Sequence, residues 1–136
     1  MRKPMKSIFE LFEIEKIKIV DIGAMSLGEG KEPYAGLVSS GRAEVVGFEP
    51  NPTECEKLNR VAKEFGQAQY LPVAVGDGNT KNFYITNTGM TSSIFEPKMD
   101  LLSAFQNLAE LVQVERIEQI NTARLDDLPE LRVPTI

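Results

Sequence analysis

Two acids stand where chemistry is most readily done. Asp21 follows the apolar run Ile17-Lys18-Ile19-Val20 and opens Asp21-Ile22-Gly23-Ala24, while Glu49 follows Val45-Val46-Gly47-Phe48 and opens Glu49-Pro50-Asn51-Pro52. A short β-branched run that ends in an acid and a glycine reads as a buried parallel strand whose C-terminal end faces a ligand. A carboxylate at such an end can accept both hydroxyls of a ribose. Gly23 lets the main chain come close to that ligand, where a side chain would fill the space. The plainer reading of the same acids is that they cap strand ends and helix starts.

The elements that must hold these acids are two strands and a helix. Between the runs, Tyr34, Leu37 and Val38 are spaced for one helical face, which makes a βαβ unit of nucleotide-binding type. In such a unit the second strand's end lies beside the first. Glu49 follows Asp21 at a separation longer than the roughly 20 residues usual between a glycine-rich turn and its ribose acid. The extra length falls in the loop after Gly23.

The blocks Val20-Asp21-Ile22-Gly23-Ala24, Val46-Gly47-Phe48-Glu49-Pro50-Asn51-Pro52, Pro72-Val73-Ala74-Val75-Gly76-Asp77, Thr91-Ser92-Ser93-Ile94 and Thr122-Ala123-Arg124-Leu125-Asp126-Asp127-Leu128 follow in that order. In order and spacing, from Ile19 onward, the chain resembles the FkbM-type S-adenosylmethionine-dependent methyltransferases. The resemblance implies an α/β, Rossmann-like class I methyltransferase fold, incomplete, with parallel strands plus an antiparallel hairpin. It implies S-adenosyl-L-methionine as cofactor. Asp21, Gly23 and Ala24 would position its methionine portion, Glu49 its ribose, and Pro50, Val73 and Ala74 its adenine. Ser92 and Ser93 would hold its carboxylate, although serines that cap their own loop explain the same residues.

The sequence departs from the family in two places. Met25-Ser26-Leu27-Gly28-Glu29-Gly30-Lys31-Glu32-Pro33 replaces a small residue or Asn followed by glycine, and the chain stops at Ile136, where the family enters a fourth strand and an acidic motif. The expectation is a single domain over 1–136 that forms the N-terminal, cofactor-binding part of a methyltransferase and is inactive alone. No catalytic residue is assigned. The first strand is then left with an open edge, which predicts a homo-oligomer through that edge.

Composition sets limits on partners. The 136 residues are enough for one core without disulfides or metals, and 42% hydrophobic with 26% charged is ordinary for a globular protein. A net charge of −5 without a basic cluster argues against nucleic acid. The chain has no histidine and one cysteine, Cys55, which removes the commonest general base and zinc ligand and gives no metal site. A lone cysteine and the lack of a signal-length apolar run near the start fit the cytoplasm. The partner that the family resemblance implies is a small-molecule or sugar methyl acceptor, and no nucleic acid or membrane partner is expected.

Around the acids, the remaining elements follow from periodicity. Ser7 and Glu10 form a capping box for an N-terminal helix within 1–15 that covers the sheet. Asn51 or Thr53 caps a helix that lines Leu58, Val61, Ala62 and Phe65 on one face and stops at Gly66. A third strand spans 69–75, and the turn Gly76-Asp77-Gly78-Asn79 returns the chain into an antiparallel strand over 82–86. Pro97 opens a helix over 98–109; beyond it Val112-Gln113-Val114-Glu115 alternates like a strand while Leu108, Leu111 and Val112 would also continue a helix, and the family resemblance implies a strand over 112–121 antiparallel to 83–86. Asp126 and Asp127 read as N-caps of a short helix ended by Pro129.

Two other function classes compete with an O-methyltransferase. A nicotinamide-dependent Rossmann oxidoreductase needs GxGxxG after the first strand, a spacing that Gly23, Gly28 and Gly30 do not provide. A non-catalytic Rossmann-like scaffold for protein interaction would keep both acids for structure alone.

Overall fold

A computed structural model describes residues 15–26 and 32–131. The helix expected near Ser7 and most of the loop after Ser26 lie outside the described residues. The described residues fold as mixed α/β with two three-stranded sheets.

The first sheet is parallel. Strands β1 (Ile17–Ile22), β2 (Ala43–Phe48) and β3 (Ala68–Leu71) lie in sequence order, with Ile17 opposite Ala43, Asp21 opposite Gly47, and Gly47 opposite Tyr70. The crossovers are the short helix α1 (Ala35–Ser39) and the longer α2 (Pro52–Phe65). Both step in one direction, so both helices cover one face. Val38 of α1 and Cys55, Leu58 and Ala62 of α2 pack there on Ala43, Val45 and Tyr70. Alternation along β2 selects Ala43 and Val45 for this face. The expected apolar face of α2 is right at Leu58 and Ala62, whereas Val61 is exposed and Cys55 takes the inward place.

α2 is bounded as its sequence dictates. The Asn51 side chain accepts the N–H groups of Thr53 and Glu54, Pro52 occupies the first helical position, and Gly66 ends the helix at φ 67°. Its Asn59 reaches the outer edge of β3. There the side-chain amide donates to the Tyr70 carbonyl at 2.7 Å, and the side-chain oxygen accepts the Tyr70 N–H at 2.9 Å. This pair of hydrogen bonds stands in for a fourth strand. No described strand covers the outer side of β1, and Val20 and Ile22, which share one face of that strand, are exposed.

The third apolar run does not continue as one strand. Pro72 has no N–H to give a ladder, and the run divides into β3 and β4 (Ala74–Val75), which joins a different sheet. In that sheet β6 (Val114–Ala123) lies between β4, parallel to it, and β5 (Thr80–Thr86), antiparallel to it. The antiparallel partnership of the 82–86 and 112–121 stretches therefore stands. The helix expected over 98–109 does not. Only α3 (Met99–Leu102) forms, Asn107 sits at φ 63°, and Ala109–Val112 is a 3-10 turn. An amphipathic helix is stabilised mainly by packing its apolar face, and here Leu101 and Phe105 stay more than half exposed. Asp126 and Asp127 are also corrected. They lie within a 3-10 turn, Leu125–Asp127, without a side-chain cap, their carboxylates 3.5 and 3.9 Å from the Arg124 guanidinium. No helix among the described residues is long and apolar enough to cross a membrane.

Replacing Asn59 by Ala removes both bonds to the Tyr70 main chain and leaves the outer edge of β3 bare. Thermal melts should show a loss of about 1–3 kcal/mol, a drop of several degrees for a domain of this size. An unchanged melting temperature would show that water replaces the amide without cost.

Candidate functional site

The site begins where β1 ends. Gly23 turns the chain at φ 72°, and the N–H groups of Gly23 and Ala24 both donate to the Phe48 carbonyl, at 2.8 and 3.1 Å. The tip of β1 is thereby folded over the tip of β2. A Cβ at position 23 would meet no protein atom within 4 Å, so it is the left-handed φ and not crowding that calls for glycine.

Asp21 lines a cleft of about 450 Å³ with Gly23, Met25, Glu32, Tyr34 and Met90. Its Oδ2 accepts a 2.5 Å hydrogen bond from the Tyr34 hydroxyl, whose oxygen lies 3.4 Å from that of Tyr70. Burial first, then the bond to Asp21, push the Tyr34 hydroxyl far above its ordinary pKa. It therefore stays protonated and donates across the whole working pH range. Burial likewise raises Tyr70, against the contrary effect of its contact with Tyr34.

Gly47 makes this arrangement possible. A Cβ on it would lie 2.2 Å from Cδ1 of Tyr70, so the Tyr70 ring lies directly across β2. A glycine inside a strand often marks such a close approach. Behind the two tyrosines, a second cavity of about 320 Å³ runs between α1 and α2, and Glu32 and Tyr34 line both spaces. Met25 reaches the turn Gly89–Thr91, its Cε 2.9 Å from where a Cβ of Gly89 would be, so the segment after β5 closes the far side of the cleft.

Glu49 has a different neighbourhood. Its residue is only 9% exposed, and its Oε1 accepts the Asn51 N–H at 2.8 Å. Burial raises its carboxyl above the ordinary value, Asn51 opposes this, and the charge of Glu54 adds to it. Its main chain sits beside the tip of β1, yet Glu49 does not line either cavity described here. Pro50 beside it is half-buried.

The other expected site residues lie in separate groups. Ala24 is in the core, Ala74 is buried and pairs with Thr122, and Val73 is half-buried with its N–H bonded to the Leu71 carbonyl. Ser92 Oγ accepts the Thr86 N–H, and Ser93 Oγ accepts the Phe95 N–H, both at 3.1 Å. Both hydroxyls thus serve their own loop. Cys55 is buried with its thiol pushed up by that burial, so it is packing material rather than a nucleophile.

Sequence reasoning missed Tyr34, Tyr70 and Glu32 as members of the site. Tyr34 has the spacing of a core residue, and its hydroxyl is what the helical pattern leaves out. The usable signal was Gly47, a glycine within an apolar strand. Comparison of the chain with protein-family models, with curated proteins and with solved structures finds no match. The functional reading rests on the residues themselves.

The Glu49 carboxyl gives a pH test. With its folded pKa raised, the folded chain holds this proton more tightly than the unfolded chain does. The site's stability is fully present below the ordinary value of 4.5 and falls as pH rises through the folded value. Glu49→Gln should therefore melt above the wild type at neutral pH, with the gap closing on acidification. A wild type that gains on the variant as pH rises would mean that the Asn51 bond outweighs burial.

Proposed function

We propose that this chain is the cofactor-binding portion of an S-adenosylmethionine-dependent methyltransferase that acts, in the cytoplasm, on a hydroxyl of a small molecule or sugar. The observation that carries the reading is the largely buried acid at the tip of β2. Glu49 is desolvated, receives one main-chain N–H at Oε1, and sits next to a glycine turn at the tip of the neighbouring strand. A carboxylate in that state gains from further donors, and two vicinal hydroxyls are neutral donors at the right spacing.

The fit extends to the neighbouring groups. Asp21 keeps Oδ1 for a ligand while Tyr34 holds Oδ2, and an acid at that position suits the ammonium of an amino-acid moiety. Gly23 leaves open space at the turn. Val73, half-buried where the main chain leaves the first sheet after Pro72, offers an apolar wall to a base. When bound, S-adenosylmethionine supplies an electrophilic methyl group on a sulfonium. The contribution of these residues is to bind and orient it, because alignment of donor and acceptor supplies much of the rate in such transfers.

Thermal shift with S-adenosylmethionine tests this. Ligand at about 100 times its dissociation constant stabilises a fold by about 2.7 kcal/mol, and the melting temperature should rise accordingly. Glu49→Ala should abolish that rise, while NADH should cause none. A shift that survives in Glu49→Ala would return the acid to a structural role, and a shift with NADH alone would favour the oxidoreductase.

A further inference from the structure

Besides the outer side of β1, the second sheet has an edge of its own, on β6. On one side β6 pairs with β5 along its length, and on the other only Thr122 and Ala123 are covered, by β4. From Ile117 to Asn121 the second side meets no described strand. The Thr122 N–H goes to Asn79 on the β5 side and the Ala123 carbonyl accepts Gly76 on the β4 side. Alternation then makes Asn121, Gln119 and Ile117 offer their main-chain groups outward. The irregularity between Ile85 and Thr86 places Glu115 in a bulge, which ends the regular edge there.

We propose that two copies of this chain pair antiparallel through this edge, with Ile117 meeting Ile117 on a two-fold axis. Such an axis stands perpendicular to the sheet and keeps each face on its own side, so it passes beside a single residue. That limits the choices. Centred on Ile117, Arg116 of each copy stands opposite Glu118 of the other, within the regular stretch that the bulge at Glu115 ends. Centred on Glu115, Arg116 or Glu118, like charges meet. Centred on Gln119, Glu118 faces Ile120. Of these five registers, the one centred on Ile117 is complementary.

The two faces agree with that register. Ile117 is 55% exposed and lies opposite Tyr84 on β5, so pairing extends Tyr84–Ile117 into one row across four strands. On the other face Arg116 and Glu118 already form a 2.6 Å ion pair within β6, and pairing brings a second such pair against it with alternating signs. The β1 edge lacks this complementarity. A two-fold beside Lys18 or Asp21 opposes like charges, beside Ile19 it sets Asp21 against Ile17, and beside Val20 it sets Asp21 against Ile19.

Sedimentation equilibrium of the 136-residue chain decides. The wild type should form a dimer. Arg116→Glu and Glu118→Arg should each weaken it about tenfold or more, and the double variant should restore it. Ile117→Lys, which sets two ammonium groups face to face, should dissociate it as well. Circular dichroism separates loss of pairing from loss of fold, and the exposed positions chosen make the former the expected result. A monomeric wild type at high concentration would overturn the proposal. So would single variants as tightly paired as the wild type, a double variant no better than the singles, or dissociation by Val20→Lys on β1.

Discussion

The packing of the Tyr70 ring against the bare α-carbon of Gly47 is the contact on which the site end of the molecule depends. It lets a side chain from β3 cross the middle strand and bring its hydroxyl to that of Tyr34, which in turn holds Asp21 at the tip of β1. Three strands and α1 are tied together by one aromatic ring and one hydroxyl. Asn59 fixes the other end of the same ring by clamping its main chain. Any side chain at position 47 displaces the ring, and with it the orientation of an acid two strands away.

The two acids occupy comparable places in the fold and are stabilised by different means. Asp21 has a protonated hydroxyl donor and an open cleft, so its charge is served by a neighbour and by solvent. Glu49 has burial and one N–H at the start of α2, where the helix end also favours negative charge. Burial outweighs that favour, as the direction of its pKa shows.

The first sheet was legible because every level of the sequence agreed there. Apolar runs, helix spacing, the Asn51-Pro52 start and the Gly66 stop all specified one parallel unit, and α2 is bounded where those residues place it. The second half was read less well. The 98–109 stretch has helical spacing but no surface to pack on, and tertiary context decides such cases. The site was legible in its acids and glycine but not in its tyrosines, because periodicity reports which face a residue takes and says nothing of where a hydroxyl at the end of a ring arrives. Ser92 and Ser93 were open between ligand and loop on sequence grounds, and the bonds they make are to the loop.

The β5–β6 ribbon has to be explained by its ends. An isolated two-stranded ribbon is marginal, and the middle of β6 is exposed on both faces, so burial along its length contributes little. At one end Thr122 is buried over Gly76, where a Cβ would lie 2.7 Å from its side chain, and its hydroxyl accepts the Gly78 N–H while donating to the Asn79 carbonyl. At the other, Asn87 donates to the Glu110 carbonyl and accepts the Gln113 N–H, beside the buried Thr86. Polar clamps at both ends hold the register while the middle carries Arg116, Ile117 and Glu118 outward. A strand pinned in this way keeps its edge straight and its side chains in fixed alternation, and those are the conditions under which charge order along an edge can select a partner.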